Sequence, residues 1–354
     1  MNITFLLPGA TSVVSGGYSV VYQYANLLSE KGHNVRILYE NKNLKSMGLL
    51  YKCVPLRMLL IRLKFGSRPR WFNLKKEVNV EYLVYALSPK NVMNDDILIA
   101  TAVDTAEAVA SIPNIKKYYF VQDFENWKVG DEYVISTYRI GLDIITVSNY
   151  LKDIVRRYTE TKIKVVPNAI DTEIFDCICS IESRDRFRIA MLYHKLENKG
   201  SKYGLGAIIQ LKKKYPQLSA TLFGTVRRPK ELPKWIEYIY CASKEKLCQI
   251  YNESAIFICP TIWEGFGLTP LEAMKCGCVV ISTYYEAGQD FLVNQKNSLL
   301  CEVRDSEGLY INACRIIEDE LLRIRLARNA VKSAKRYSWE RSAKLFEKEV
   351  MEWK

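Results

Sequence analysis

Two glutamates eight positions apart, Glu264 and Glu272, stand in the stretch CPTIWEGFGLTPLEAMKCGCVVIST from Cys259 to Thr283. An ionised carboxylate is a strong hydrogen-bond acceptor and suits a sugar diol or ribose. Gly265 and Gly267 follow the first glutamate at once. Thr269 and Pro270 are suited to a helix start, as cap and first-turn proline, and Gly277 is suited to its end. The stretch therefore reads as strand end, tight glycine loop, helix, turn and next strand. Backbone N–H groups of Gly265, Phe266, Gly267, Leu268 and Thr269 would then lie at the positive end of a helix, where a phosphate or sugar hydroxyls bind. Glu264 would enter from the loop and Glu272 from the first turns of the helix. The bland alternative is a buried strand–loop–helix unit whose two glutamates are merely solvated.

The elements that must position these residues alternate between strand and helix. Ile3 to Leu7 is a short apolar run, expected as a first buried parallel strand. A polar loop follows and ends in Gly16-Gly17. VVYQYANLLSEKG has helical spacing, and His33 to Tyr39 reads as the second strand. Further strands are expected at Ile97–Thr101, Lys117–Val121 and Ile144–Ser148, the last followed by a helix that Ser148-Asn149 caps. Gln122-Asp123-Phe124-Glu125 lie just past a strand end, where ligands bind in open α/β sheets. Asp123 is a candidate to orient an acceptor hydroxyl, or else a strand-end cap. Residues 172–186 are polar and lack periodicity, as a linker would. A second alternating series opens at Arg188. In it Gly224, at a strand's carboxyl end, would admit close approach of a base or ribose.

The stretch E-G-F-G-L-T-P-L-E-A-M resembles the signature of the retaining family-4 glycosyltransferases, in which two Glu are separated by seven residues with Gly-Phe-Gly after the first. Other segments extend the resemblance over nearly the whole chain. Gly16-Gly17 is similar to the family's glycine loop after the first strand, and Gly32-His33-Asn34-Val35 to its G-H-x-V. Pro167-Asn168-Ala169-Ile170-Asp171 resembles P-N-G-[IV]-D, with Ala in place of Gly. Tyr337-Ser338-Trp339 resembles the closing Y-S-W. The family's G-R-L-x-x-x-K-G is matched in its Lys199-Gly200 half, but its Arg is missing and His194 stands at that position. Gln122 replaces a His that many relatives carry, and YYFVQDFENW resembles a subgroup that includes rhamnosyltransferases.

The resemblance implies the α/β GT-B fold, two Rossmann-like doubly wound domains facing a central cleft. The expected parts are an acceptor domain over 1–168, a linker over 169–186, a nucleotide-sugar domain over 187–336 and a returning C-terminal helix over 337–354. It implies transfer of a sugar, with retention at the anomeric carbon, from a nucleotide-sugar donor to a glycan or lipid-linked acceptor. Cell-surface polysaccharide or glycoconjugate synthesis is the expected setting. The departing diphosphate gathers negative charge and needs a cation. Lys199 is the first candidate, His194 the second and Lys195 the third. Glu264 would contact the sugar and Glu272 the donor ribose. No metal or other cofactor is expected. A sugar-nucleotide epimerase of the same architecture and a non-catalytic sugar-nucleotide-binding protein are the alternatives.

Length and composition frame this. The chain has 354 residues, enough for two domains of ordinary size, with 49% hydrophobic and 25% charged residues. No apolar run reaches membrane-spanning length and the start lacks a signal peptide's basic region, so a cytoplasmic protein is expected, peripheral on the inner membrane face. The ten cysteines are scattered, with no histidine at zinc spacing, and are expected reduced. The net charge of +12 lacks an accompanying nucleic-acid motif. It is concentrated in part between Lys42 and Lys76, where ten Lys/Arg and no Asp or Glu are interleaved with large apolar residues. Such a segment suits an anionic membrane surface, or a helical hairpin packed on its domain.

Overall fold

The computed structural model describes residues 1–12, 14–40 and 54–351, and side chains at all of these except 54–58 and 128. The chain divides into two compact units, Met1–Pro167 with Ser342–Lys354, and Asn168–Arg341.

In the first unit β1 (Asn2–Leu7), α1 (Gly16–Glu30), β2 (Asn34–Glu40), α2 (Val54–Phe65) and β3 (Asn79–Leu83) come first. They are followed by β4 (Ile97–Ala100), α3 (Val103–Ala110), β5 (Lys116–Val121), α4 (Asn126–Val129), α5 (Asp131–Thr137), β6 (Asp143–Thr146), α6 (Asn149–Arg156) and β7 (Ile163–Val165). All strands are parallel, in the order β3-β2-β1-β4-β5-β6-β7. β1 and β4 are buried along nearly their whole length because both faces are covered, which explains their unbroken apolar runs. As expected, Ser148 caps α6, accepting from the Leu151 N–H at 3.2 Å.

The second unit contains β8 (Arg188–Leu192), α7 (Ser201–Lys214), β9 (Ser219–Gly224), β10 (Glu237–Tyr240), α8 (Lys244–Glu253) and β11 (Ile256–Cys259). Then come α9 (Leu268–Lys275), β12 (Val279–Thr283), β13 (Ser298–Cys301), α10 (Ser306–Glu318) and α11 (Glu320–Ala334). This sheet is also parallel, in the order β10-β9-β8-β11-β12-β13. Both orders reverse direction once, between β1 and β4 and between β8 and β11. In doubly wound sheets the crevice at the carboxyl ends of such a strand pair binds the ligand.

The final helix α12 (Trp339–Met351) carries its later residues into the first unit, where Phe346 stacks on Tyr24 with ring centroids 4.4 Å apart. His33 meets Glu347 of this helix at 3.0 Å, a structural role. The stretch 172–186, expected as a linker, has no helix or strand but is packed within the second unit. Its Arg184 is buried and donates to the carbonyls of Tyr251, Ser254 and Cys276, and Ile181 joins the core. A buried guanidinium must spend its donors in this way, so the segment is pinned down.

Of the basic segment, residues 42–53 lie outside the described residues. The rest divides in two. Arg68 donates to the carbonyls of Leu74, Lys75, Lys76 and Val78, and Trp71 donates to Thr11 O at 3.0 Å and packs with Phe72 on Tyr22. These residues hold the segment to its own unit. On α2, by contrast, Leu59 and Leu63 are 53% and 67% exposed, and Arg62 and Lys64 are exposed beside them. No helix among the described residues is long and apolar enough to cross a membrane.

Candidate active site

The loops leaving β8 and β11, the strands on either side of the reversal, lie against each other. The first passes through a 3-10 turn, Glu197–Lys199, to Gly200 at φ +61°. A Cβ at Gly200 would collide with the carbonyl oxygen of Pro260, so only glycine lets the two loops close. The Asn198 carbonyl accepts from the N–H of Ile262 at 2.7 Å, and the Asn198 side chain donates to Trp263 O at 3.2 Å. This seam delivers the Lys199 ammonium to the Glu264 carboxylate, Nζ to Oε2, at 2.6 Å. Thr261 donates to the other oxygen of Glu264 at 3.1 Å. Both members of the pair keep some access to solvent, with side-chain exposures of 24% and 13%.

His194 begins the same loop. Its Nδ1 accepts from the Leu196 N–H at 3.1 Å, which leaves the proton of the neutral ring on Nε2. Burial, then the charge of Lys199, lowers its pKa below the ordinary imidazole value. In its neutral form the ring is thus an Nε2–H donor. Lys195 is exposed.

After Glu264 the chain turns through Gly265, Phe266 and Gly267 into α9. Phe266 is 3% exposed and packs against Phe291 and Tyr337, which anchors the loop from beneath. The cap of α9 is Gly267, at φ +108°, and the helix starts at Leu268. The sequence pointed to Thr269 as the cap. Instead Thr269 and Pro270 occupy the second and third helical positions. The positive φ of Gly267 makes the turn one step earlier, and Pro270 still falls in the first turn, where a missing N–H costs nothing. Gly277, at φ +88°, follows the end of the helix as expected.

Glu272, on α9, is only partly exposed and accepts from the Tyr251 hydroxyl at 3.1 Å. Its carboxyl is pushed up to about 7, first by burial, against the opposing effects of the Tyr251 hydrogen bond and Lys244. Gly224 ends β9. A Cβ there would run into the Tyr193 carbonyl and the Tyr238 hydroxyl, so protein packing by itself accounts for this glycine.

In the first unit Gly16 and Gly17 open α1. Nothing stands beside Gly16, while Gly17 faces the Gln122 side chain at the end of β5. Asp123 accepts from the Phe124 N–H at 2.9 Å, a local strand-end cap, and has a further interaction. Glu125 accepts from the Val103 N–H at the start of α3 at 2.8 Å. The candidates within this unit thus gather at the carboxyl ends of β1, β4 and β5.

Sequence reasoning missed Asn198, Thr261 and Tyr251, which position Lys199, Glu264 and Glu272 in turn. Among the described residues no group of three or more His, Cys, Asp or Glu could hold a metal ion.

Two parallel doubly wound units, one with a cation–carboxylate pair beside a glycine-started helix at its switch point, define an α/β protein of the class that binds ligands at the carboxyl ends of its strands. Residues 187–319, within the second unit, match the family described as Glycosyl transferases group 1. The N,N'-diacetylbacillosaminyl-diphospho-undecaprenol alpha-1,3-N-acetylgalactosaminyltransferase of Campylobacter jejuni is 28% identical over 98 residues, 28% of this chain and 26% of that protein. The D-inositol 3-phosphate glycosyltransferase of Corynebacterium urealyticum is 33% identical over 100 residues, 28% of this chain and 24% of that protein. The matched stretch thus spans about a quarter of the length of either relative. Over its full length the chain has the fold of Anabaena HepE, solved in complex with UDP-glucose, with a TM-score of 0.75, 14% identity and 100% of both chains covered. That fold is GT-B, as the sequence led one to expect.

Proposed function

We propose that the chain is a retaining glycosyltransferase that moves a sugar from a nucleotide-sugar donor to a glycan or lipid-linked acceptor, in the synthesis of a cell-surface polysaccharide or glycoconjugate. The observation that carries this reading is the meeting of Lys199 with Glu264, 65 residues apart in sequence, at the ends of the two switch-point strands. An ammonium has three donors, so Lys199 can bind Glu264 and phosphate oxygens together. It then offsets the charge that gathers on the departing diphosphate. The His194 Nε2–H and the amides before α9 add uncharged donors. Glu264 faces the sugar, and Glu272 accepts from the donor ribose. Retention follows a same-face path in which the leaving phosphate helps take the acceptor's proton. With Lys199 as the cation, the reaction needs no metal.

HepE's UDP-glucose complex supports a UDP-sugar as donor, and the undecaprenol in the name of the Campylobacter relative supports a lipid-linked acceptor. The exposed Leu59, Arg62, Leu63 and Lys64 favour contact with an anionic membrane surface.

Incubating the protein with UDP-, GDP- and dTDP-sugars, with and without a polyprenyl-diphosphate glycan and in the presence of a chelator, tests this. Release of nucleoside diphosphate together with an α-configured glycoside is expected from an α-linked donor. Failure to bind any nucleotide sugar would refute the reading. Interconversion of the sugar without transfer would make the chain an epimerase.

A further inference from the structure

The second unit holds a cavity of about 250 Å³ between the chain at 290–297 and the C-terminal end of α11. None of Lys199, Glu264 or Glu272 lines it. Its floor is fixed. Phe291 and Tyr337 belong to the ring cluster that also holds Phe266, and the Tyr337 hydroxyl donates to Asp290 O at 2.6 Å. Asn297 is 1% exposed, and its side chain donates to Phe291 O at 2.9 Å and to the Ser333 hydroxyl at 3.0 Å. Asn329 of α11 donates to Lys296 O at 2.8 Å. These bonds tie the loop to the helix and hold the cavity open in one shape. Its volume is below the range of about 300–1,000 Å³ for drug-sized ligands, so it suits a small ion or a phosphate with few carbons, not a second nucleotide sugar.

Three exposed cations line the cavity, Lys296 from the loop, Lys332 from the last turn of α11 and Arg336 just past it. The other guanidinium groups of α11 are used within the protein. Arg323 donates to Ile181 O, Arg325 donates to Gln295 O and Arg328 pairs with Glu182. Among the described residues the side chains of Lys296, Lys332 and Arg336 form no ion pair or hydrogen bond. Asp290 is the one carboxylate of the lining, and it has a further interaction. Cations near the C-terminus of a helix offset its dipole, which accounts for Lys332 and Arg336 singly. It does not account for Lys296. Nor does it favour Lys332 and Arg336 four positions apart, where like charges repel and a bound anion relieves them.

We propose that this cavity is a second anion site, apart from the donor site, that takes a phosphate monoester. Lys296 and Lys332 supply ammonium donors, and the planar Arg336 guanidinium can hold two phosphate oxygens at once. Three cations and one carboxylate leave two positive charges, which match a phosphate dianion. Small soluble phosphates and the headgroup of phosphatidic acid both carry that group. The site stands whether or not the chain transfers a sugar.

Calorimetric titration with inorganic phosphate and with glycerol phosphate, at constant ionic strength, tests this. The proteins compared are the wild type, the double variant Lys332→Gln with Arg336→Gln, Lys296→Gln, and Lys199→Ala. Lys199→Ala is expected to keep a phosphate site of wild-type affinity. The double variant should lose about tenfold or more and Lys296→Gln about threefold or more. Thermal midpoints without ligand should match the wild type, because the three side chains are exposed; if the double variant melts lower, Lys296→Gln alone decides. A wild type that binds neither phosphate, or variants that bind as well as the wild type, would overturn the proposal. So would binding that is lost in Lys199→Ala and kept in the double variant, which would put the anion at the donor site. Flotation with vesicles of phosphatidic acid and phosphatidylcholine separates the sources, since α2 is the same in both proteins. Weaker flotation of the double variant marks the lipid headgroup as ligand, and equal flotation with the loss of phosphate binding marks a soluble phosphate.

Discussion

Burial around Glu272 pushes its carboxyl up to about 7, so near neutral pH the group is part acid and part carboxylate. The raised value means that folding favours the protonated form. The stability this adds is fully present below the unfolded value of 4.5 and is lost as pH rises through about 7. With the group partly exposed, the loss is on the order of 2 kcal/mol. A ribose diol needs the ionised acceptor, so ligand affinity should run the other way. Binding of a UDP-sugar, whose diphosphate does not titrate in this range, should strengthen from pH 5.5 to about 7 and then level off. Burial and the charge of Lys199 hold the His194 pKa below its ordinary value, which favours the neutral ring. Glu272→Gln keeps an acceptor for Tyr251 but should flatten the affinity profile, and it should melt higher than the wild type at pH 8. An affinity profile that keeps its slope in the Gln variant would remove Glu272 from the ribose. The cation assignment is as direct. Lys199→Ala should reduce turnover by about a hundredfold or more, the scale for loss of a charge-stabilising group. His194→Ala should cost less, and Lys195→Ala, at an exposed position, least. Activity that survives the Lys199 change and disappears with Lys195 would shift the loop assignment by one register.

At the scale of elements, the site is a seam between two strand-end loops, and Gly200 is where they touch. An alanine there would need both a left-handed backbone at φ +61° and space already held by the Pro260 carbonyl. Gly200→Ala should therefore lower stability by about 2 kcal/mol or more and disturb the Lys199–Glu264 pair. Calorimetric unfolding compared with the donor affinity of the surviving folded fraction checks this. An unchanged midpoint would mean that the loops are not in close contact. The same seam explains what could be read from the sequence. Lys199-Gly200 and the Glu264–Glu272 stretch were legible because each is a local pattern, a glycine for a turn or a helix end next to a charged group. Asn198 and Tyr251 were not, because their roles come from contacts between separate segments: Asn198 meets Trp263 65 residues on, and Tyr251 meets Glu272 21 residues on. Thr261 lies only three residues from Glu264, but a lone Thr at a strand end carries no pattern that marks its partner. β3 and β7 were missed for a related reason. They are edge strands with only one buried position between them, so they lack the apolar run that marks β1 or β11. In the basic segment, composition could not separate Arg68, which is tied to four carbonyls, from Arg62 and Lys64, which face solvent.

At the scale of the whole molecule, a net charge of +12 favours anionic surfaces in general, and α2 is the place proposed for such contact. Its exposed Leu59 and Leu63 can insert between headgroups while Arg62 and Lys64 meet lipid phosphates. Each nearby Lys or Arg contributes roughly 1 kcal/mol on an anionic surface. A few such charges with two inserted leucines should give reversible peripheral binding. The protein should float with vesicles of phosphatidylglycerol and phosphatidylcholine at low salt and leave them at about 0.5 M salt, where screening shortens the reach of the field. It should not float with phosphatidylcholine alone. A variant carrying Arg62→Gln, Leu63→Ser and Lys64→Gln should lose flotation and bind a nucleotide sugar as the wild type does, because Lys199, Glu264 and Glu272 belong to the other unit. Arg68 must be left in place, since its removal would free four carbonyls and test the packing of the segment instead. Wild-type protein that stays in the soluble fraction with anionic vesicles at low salt would make α2 an ordinary surface helix and direct the search for an acceptor toward soluble glycans.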